Sequence, residues 1–119
     1  MRSDLLYIEH ILECIGRIDE YVGIARDAAA CEIFMQQSLV QDAVIRNLQV
    51  LAESAGRISP ENQALRPEMP WQQVRGFRNI LVHQYLGIDI DFVWRVIVED
   101  LPVLKTTTLE LQAFLMSRS

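Results

Sequence analysis

Eight consecutive residues, Arg78-Asn79-Ile80-Leu81-Val82-His83-Gln84-Tyr85, bring together a fixed cation, an amide, a titratable imidazole and a phenol. Histidine is the one side chain whose ordinary pKa lets it both take and give a proton near neutrality. Arginine offers a planar fork of donors suited to a phosphate that carries extra charge. Cleavage of RNA through attack by its own 2'-hydroxyl needs nothing else from a protein in principle, and no metal ion. Arg78 and His83 are the candidate catalytic pair. Asn79 is either a helix-end hydrogen-bonding group or the group that orients His83 one turn on and fixes its tautomer. An Arg and a His five apart arise by chance in roughly one chain in ten of this length. Adding Asn directly after the Arg and Tyr two after the His brings that below about one in a thousand, so the full pattern carries information.

The elements that must position these residues read as helices. Ile8, Ile11, Ile15, Ile18, Val22 and Ala25 recur at spacings of three and four, which predicts an amphipathic helix from about residue 3 to 28, with Leu5 and Leu12 widening its apolar face. Cys31 to Gln36 reads as a short helix of its own. Val40, Ala43, Val44, Leu48, Leu51 and Ala55 mark a long helix over about 38–57. Ile58 to Met69, with Pro60 and Pro67, reads as the longest loop.

Pro70 suits the first position of the helix that carries the motif, where its missing N–H is not needed, and Gly87 marks that helix's end. Val74, Phe77 and Leu81 form its apolar face, while Arg78, Arg75, Asn79 and His83 fan across an adjoining arc of about 140°. Arg78 and His83 do not stack, so both reach one phosphate only if the arginine bends around or the helix loosens. Asp89 or Asp91 can cap a last helix carrying Phe92, Val93, Trp94, Ile97, Leu101, Leu104, Leu109 and Leu111 to about Met116, which Pro102 should kink or split. The expected fold is all-α, a bundle of four to five helices in a single domain over residues 1–119.

Composition sets limits. With 119 residues, half of them hydrophobic, the chain can bury somewhat over about 60% of its unfolded surface without staples. No apolar run approaches the length of a membrane span, and Arg2 and Asp4 open an amphipathic pattern instead of a leader, so a soluble cytoplasmic protein is expected. Cys14 and Cys31 are too far apart for a two-residue metal or redox spacing, which fits a reducing compartment. His10 and Cys14 share a helix face, but two ligands do not make a site, and no metal or cofactor is expected. Trp71 and Trp94 sit in apolar patterns that suit core or dimer packing better than base stacking. Glu53, among apolar residues, either pairs with an arginine such as Arg46 or faces the site.

Sixteen acids against eleven bases give a net charge of -5, unlike the basic footprint of most nucleic-acid binders. Distribution matters more than the total. From Arg57 to Ile88, four arginines stand against Glu61 and Glu68, a local +2, which leaves -7 for everything else. The motif lies in the one locally basic stretch, a balance that suits transient capture of a short RNA segment.

The motif resembles the signature of the HepT-like toxins of the HEPN superfamily: an Arg, a polar residue, a short spacer and a His, followed by the Tyr of the HepT subgroup. The resemblance extends through Gln41-Asp42-Ala43-Val44-Ile45-Arg46-Asn47-Leu48, Ala52-Glu53-Ser54-Ala55, Pro67-Glu68-Met69-Pro70-Trp71 and Asp89-Ile90-Asp91-Phe92-Val93-Trp94. Ala52 stands where the family usually reads Gly, a difference that bears on helix approach more than on chemistry. The resemblance implies a HEPN-type homodimer whose cleft forms where two motif-bearing helices meet, each protomer contributing Arg78 and His83. It also implies a metal-independent toxin endoribonuclease of a type VII toxin–antitoxin pair, with RNA as substrate; Arg75, on the same arc as the motif residues, is a further candidate for contact with that RNA. Its partner is a minimal nucleotidyltransferase antitoxin that transfers AMP to the Tyr two residues after the catalytic His, the position of Tyr85. A competing account from another class is a catalytically silent helical dimer that binds a nucleotidyltransferase or a nucleotide through the same cleft. The two part on whether antitoxin-free protein cuts RNA.

Overall fold

Ile8, Ile11, Ile15 and Ile18 are fully buried along one stripe of helix α1 (Arg2–Val22), as their spacing predicts. The computed structural model describes residues 2–77 and 89–118, and among these every regular element is a helix. The stripe packs along helix α3 (Ser38–Arg57), whose Val44, Leu48, Leu51 and Ala55 are buried in return. Ala52 is buried on this helix too.

Helix α1 stops six residues before the spacing suggested. Gly23 has φ 78° and its N–H donates to the Asp19 carbonyl at 2.8 Å, a left-handed stop that glycine adopts without a Cβ clash. Ala25 therefore lies outside the helix and is exposed. Helix α2 (Ala28–Met35) begins earlier than Cys31, because the Asp27 carboxylate accepts from the Ala30 N–H at 2.9 Å and so caps it. The Gln41 amide donates to the Phe34 carbonyl at 2.9 Å and ties α2 to α3.

The segment expected as a loop contains a one-turn helix, α4 (Pro60–Gln63), capped by Ser59 and opened by Pro60. It raises the total among the described residues to six helical bodies, against the four to five expected. Asp4, only 4% exposed, fastens this turn to the start of α1. Its carboxylate accepts from the Ser59 N–H at 3.2 Å, the Ser59 hydroxyl at 2.7 Å and the Asn62 amide at 2.6 Å. Gln63 in turn donates to the Ala55 and Ile58 carbonyls at the end of α3, and Trp71 Nε1 donates to the Gln63 and Arg66 carbonyls at 3.0 and 3.1 Å. Helix α5 (Trp71–Gly76) starts from that anchor, with Pro70 as its cap, one residue before the position predicted for it.

Asp89 caps helix α6 (Ile90–Arg95), accepting from the Phe92 N–H at 3.3 Å. The helix passes through a π turn (Val96–Asp100) into α7 (Leu101–Ser117). The π turn is the kink expected from Pro102. A proline has no N–H for the carbonyl four residues back and its ring collides with that group, and widening the preceding turn relieves the collision. The Leu101 N–H accordingly bonds the Val96 carbonyl, five residues back. Val93, Ile97, Leu101, Leu104 and Leu111 face the core, whereas Phe92 and Leu109, expected with them, are exposed.

Arg26 clasps this kink to α1. Its guanidinium pairs with Asp19 and donates to the Ile97 carbonyl at 3.2 Å within the π turn, while Lys105 Nζ lies 3.8 Å from Asp19. Arg26→Ala leaves a carbonyl and most of a carboxylate without a partner in a largely buried setting. It should lower stability by about 1–3 kcal/mol, read as an earlier urea midpoint with unchanged native helicity. An unchanged midpoint would show that Lys105 and water replace the clasp completely.

A cavity of about 210 Å³ separates α5 from α7, walled by Met69, Val74, Phe77 and Leu104 with Asp100 at its side. Burial, and then the neighbouring Glu99 charge, pushes the Asp100 carboxyl above its usual range. A raised acid contributes stability that is fully present below its unfolded value of 3.8 and is lost as pH rises through the higher folded value. Asp100→Asn should therefore melt above the parent at pH 7, and the advantage should shrink as pH is lowered toward 3.8. A pH-independent difference between the two melting curves would contradict this.

Candidate functional site

Helix α5 has the face that the sequence predicts over its residues. Trp71, Val74 and Phe77 are buried, and Arg75, one position around from Val74, is exposed. Arg78, Asn79, His83 and Tyr85 lie outside the described residues, as do Leu81 and Gly87. What the described residues fix are the two ends of the segment. On one side the buried Phe77 holds the chain in the core, its N–H donating to the Val74 carbonyl at 3.1 Å, and on the other the Asp89 cap starts α6.

The basic stretch is not uniformly basic at the surface. Arg57 pairs with Glu53 at 3.6 Å and Arg66 with Glu110 at 3.7 Å. Glu53 thus takes the arginine one turn further along its own helix, not Arg46, because side chains four apart on a helix are neighbours. Arg75 has no ion pair among the described residues. Its stem instead runs over Gly56 of α3, where a β-carbon would stand 3.2 Å from Cδ and 3.3 Å from Cγ. Sequence reasoning passed over Gly56, although a glycine near the end of a long amphipathic helix is itself a signal of close approach.

Other candidates resolve into structure. His10 is exposed whereas Cys14, one turn on, is buried with its thiol pushed up mainly by that burial, so the two do not face a common ion. Among the described residues no group of three or more His, Cys, Asp or Glu is placed to hold a metal. Trp94 packs on Phe34 with ring centroids 5.2 Å apart, and the Trp71 indole is spent on two backbone carbonyls. No helix among the described residues is long and apolar enough to cross a membrane.

Comparison with known proteins places this framework in context. The family model described as ribonuclease HepT-like matches residues 11–111. A probable ribonuclease HepT of Thermococcus cleftensis is 35% identical over 104 residues, covering 87% of this chain and 91% of that protein. A Methanocaldococcus jannaschii protein named as a gamma-glutamylcyclotransferase and candidate RNase is 34% identical over 112 residues, 93% of this chain, and the chain spans only 49% of its length. A candidate RNase of Caldanaerobacter subterraneus subsp. tengcongensis is 28% identical over 112 residues, covering 93% of this chain and 96% of that protein. No solved structure matches the chain.

Proposed function

We propose that this chain, which belongs to the ribonuclease HepT-like family, is an endoribonuclease that cuts RNA without a metal ion, as a homodimer whose two motifs share one groove. The observation that carries this reading is the intact set Arg78, Asn79, His83 and Tyr85 in the one basic stretch of an acidic chain, within the span that the family model matches. His83 takes the proton of the 2'-hydroxyl as that oxygen attacks the adjacent phosphorus, or gives a proton to the departing 5'-oxygen, and two protomers supply one imidazole for each task. Arg78 offsets the charge that gathers on the phosphorane, the type of preorganised electrostatic term that often dominates a rate enhancement. The products are a 2',3'-cyclic phosphate and a 5'-hydroxyl. Asn79 orients the imidazole. Dimerisation answers the wheel geometry, since one helix alone does not aim Arg78 and His83 at the same phosphate.

In this reading the protein is the toxin of a type VII pair. A minimal nucleotidyltransferase antitoxin silences it by transferring AMP to the Tyr85 hydroxyl, with release of pyrophosphate from ATP. The adduct brings a base and a negative phosphate to the segment that also carries Arg78, filling space and satisfying the arginine that the RNA phosphate needs.

Cleavage by the purified, antitoxin-free protein should persist in excess EDTA. Arg78→Ala and His83→Ala should each lower kcat by about a hundredfold or more at unchanged helicity, and Asn79→Ala by less. Activity abolished by the chelator would exclude the proton-transfer mechanism, and an uncleaved RNA under all conditions would favour a silent, partner-binding dimer. Tyr85→Phe should remain an active nuclease that the antitoxin no longer neutralises enzymatically. Mass spectrometry of the co-expressed pair is the direct check: an unmodified Tyr85 in fully neutralised protein would mean neutralisation by binding alone.

A further inference from the structure

Arg75 rests its stem on Gly56 and carries no ion pair among the described residues. Among the described residues it is the one arginine between Arg57 and Ile88 with no carboxylate within 4.0 Å. Its stem lies on Gly56, at a distance where a β-carbon would meet Cδ at 3.2 Å and force the stem outward. A glycine inside a helix costs stability relative to alanine, and Gly56 has no positive φ that would demand it. The use of glycine here is close approach. One turn back on the same helix stands Glu53, which pairs with Arg57 at 3.6 Å. The outcome is an exposed arginine whose stem lies on Gly56, three residues ahead of Arg78 in the chain.

We infer that Gly56 and Arg57 keep Arg75 as a phosphate-binding group for single-stranded RNA, a flanking subsite that holds the strand beside the motif. This rests on the ribonuclease reading above and names a substrate contact within it. A guanidinium whose stem already lies against a neighbouring helix has fewer conformations to lose when it makes a bidentate contact with a phosphate. Gly56 and Arg57 act through Arg75 as positioning residues. Arg57 does so by removing a competitor for the guanidinium.

The test uses the full chain carrying His83→Ala, so that a fluorescent single-stranded RNA oligomer is bound but not cut, titrated over a range of salt concentrations. Arg75→Ala should weaken binding about fivefold at 0.1 M salt and lower the slope of log affinity against log salt by about 0.7, the signature of one lost phosphate contact. Gly56→Ala should shift both in the same direction by less while leaving the melting temperature equal or higher. A purely structural glycine would do the opposite, lowering the melting temperature and sparing the slope. Arg57→Ala should also weaken binding, because it releases Glu53 toward Arg75, and adding Glu53→Gln should restore it. In the uncrippled enzyme the Arg75→Ala loss should appear in KM. RNA binding by the parent with an unchanged slope in Arg75→Ala overturns this inference alone. No RNA binding by the parent, together with no cleavage when His83 is present, overturns the ribonuclease reading and this subsite with it.

Discussion

The seam of four isoleucines on α1 against α3 is the contact on which the other elements depend. Each fully buried side chain of this size contributes about 1.5–3 kcal/mol relative to exposure, and Ile8, Ile11, Ile15 and Ile18 are all at or near zero exposure. Once that seam fixes α1, the two acids near its ends become anchor points about 22 Å apart along the helix. Asp4 receives Ser59 and Asn62, which sets the turn after α3, and Asp19 receives Arg26 and Lys105, which sets the π turn before α7. Burial supplies the stability, and the two carboxylates decide where the connections go.

From Asp4 a relay of hydrogen bonds leads to the motif helix. The carboxylate holds Ser59 and Asn62, Gln63 closes the last carbonyls of α3, and the Trp71 indole bonds the Gln63 and Arg66 carbonyls. Beyond the side-chain bonds that Asp4 receives, the steps use side chains to satisfy backbone groups at and after helix ends. The start of α5 is therefore tied to α1 and α3 through polar contacts and to the core through Trp71, Val74 and Phe77. Arg75 is the first chemistry-bearing residue on that platform, and the sequence leads directly from it into Arg78-Asn79.

Helical class and the positions of the long helices were legible because they rest on periodicity. The isoleucines of α1, the 38–57 pattern and the Asp89 cap each state their element in one local stretch. Less legible were features where two local signals compete. Gly23 as a left-handed stop competes with an apolar spacing that runs on through Ala25, and the spacing alone favours the longer helix. Ser59-Pro60 is a helix start hidden in a stretch whose two prolines read as loop. Glu53 could pair with an arginine such as Arg46 or face the site, and helix geometry brings it Arg57 instead, at 3.6 Å. The candidate site residues rest on their types and spacing, and Arg78, Asn79, His83 and Tyr85 lie outside the described residues.

An acidic chain that handles RNA has to solve a local problem with local means. With -5 overall, the long-range field repels a polyanion, and screening at physiological salt confines that repulsion to about 8 Å. Within that range only the nearest charges matter, and here two of the acids beside the basic stretch, Glu53 and Glu110, are turned toward Arg57 and Arg66. Pairing takes four charges out of the local field and leaves Arg75 and Arg78 as the arginines of the stretch, alongside Glu61 and Glu68. In the proposed reading, a groove built this way attracts a phosphate at short range and has little hold on the rest of a long strand, and for a nuclease that releases two RNA ends after each cut such weak attachment favours turnover over tight binding.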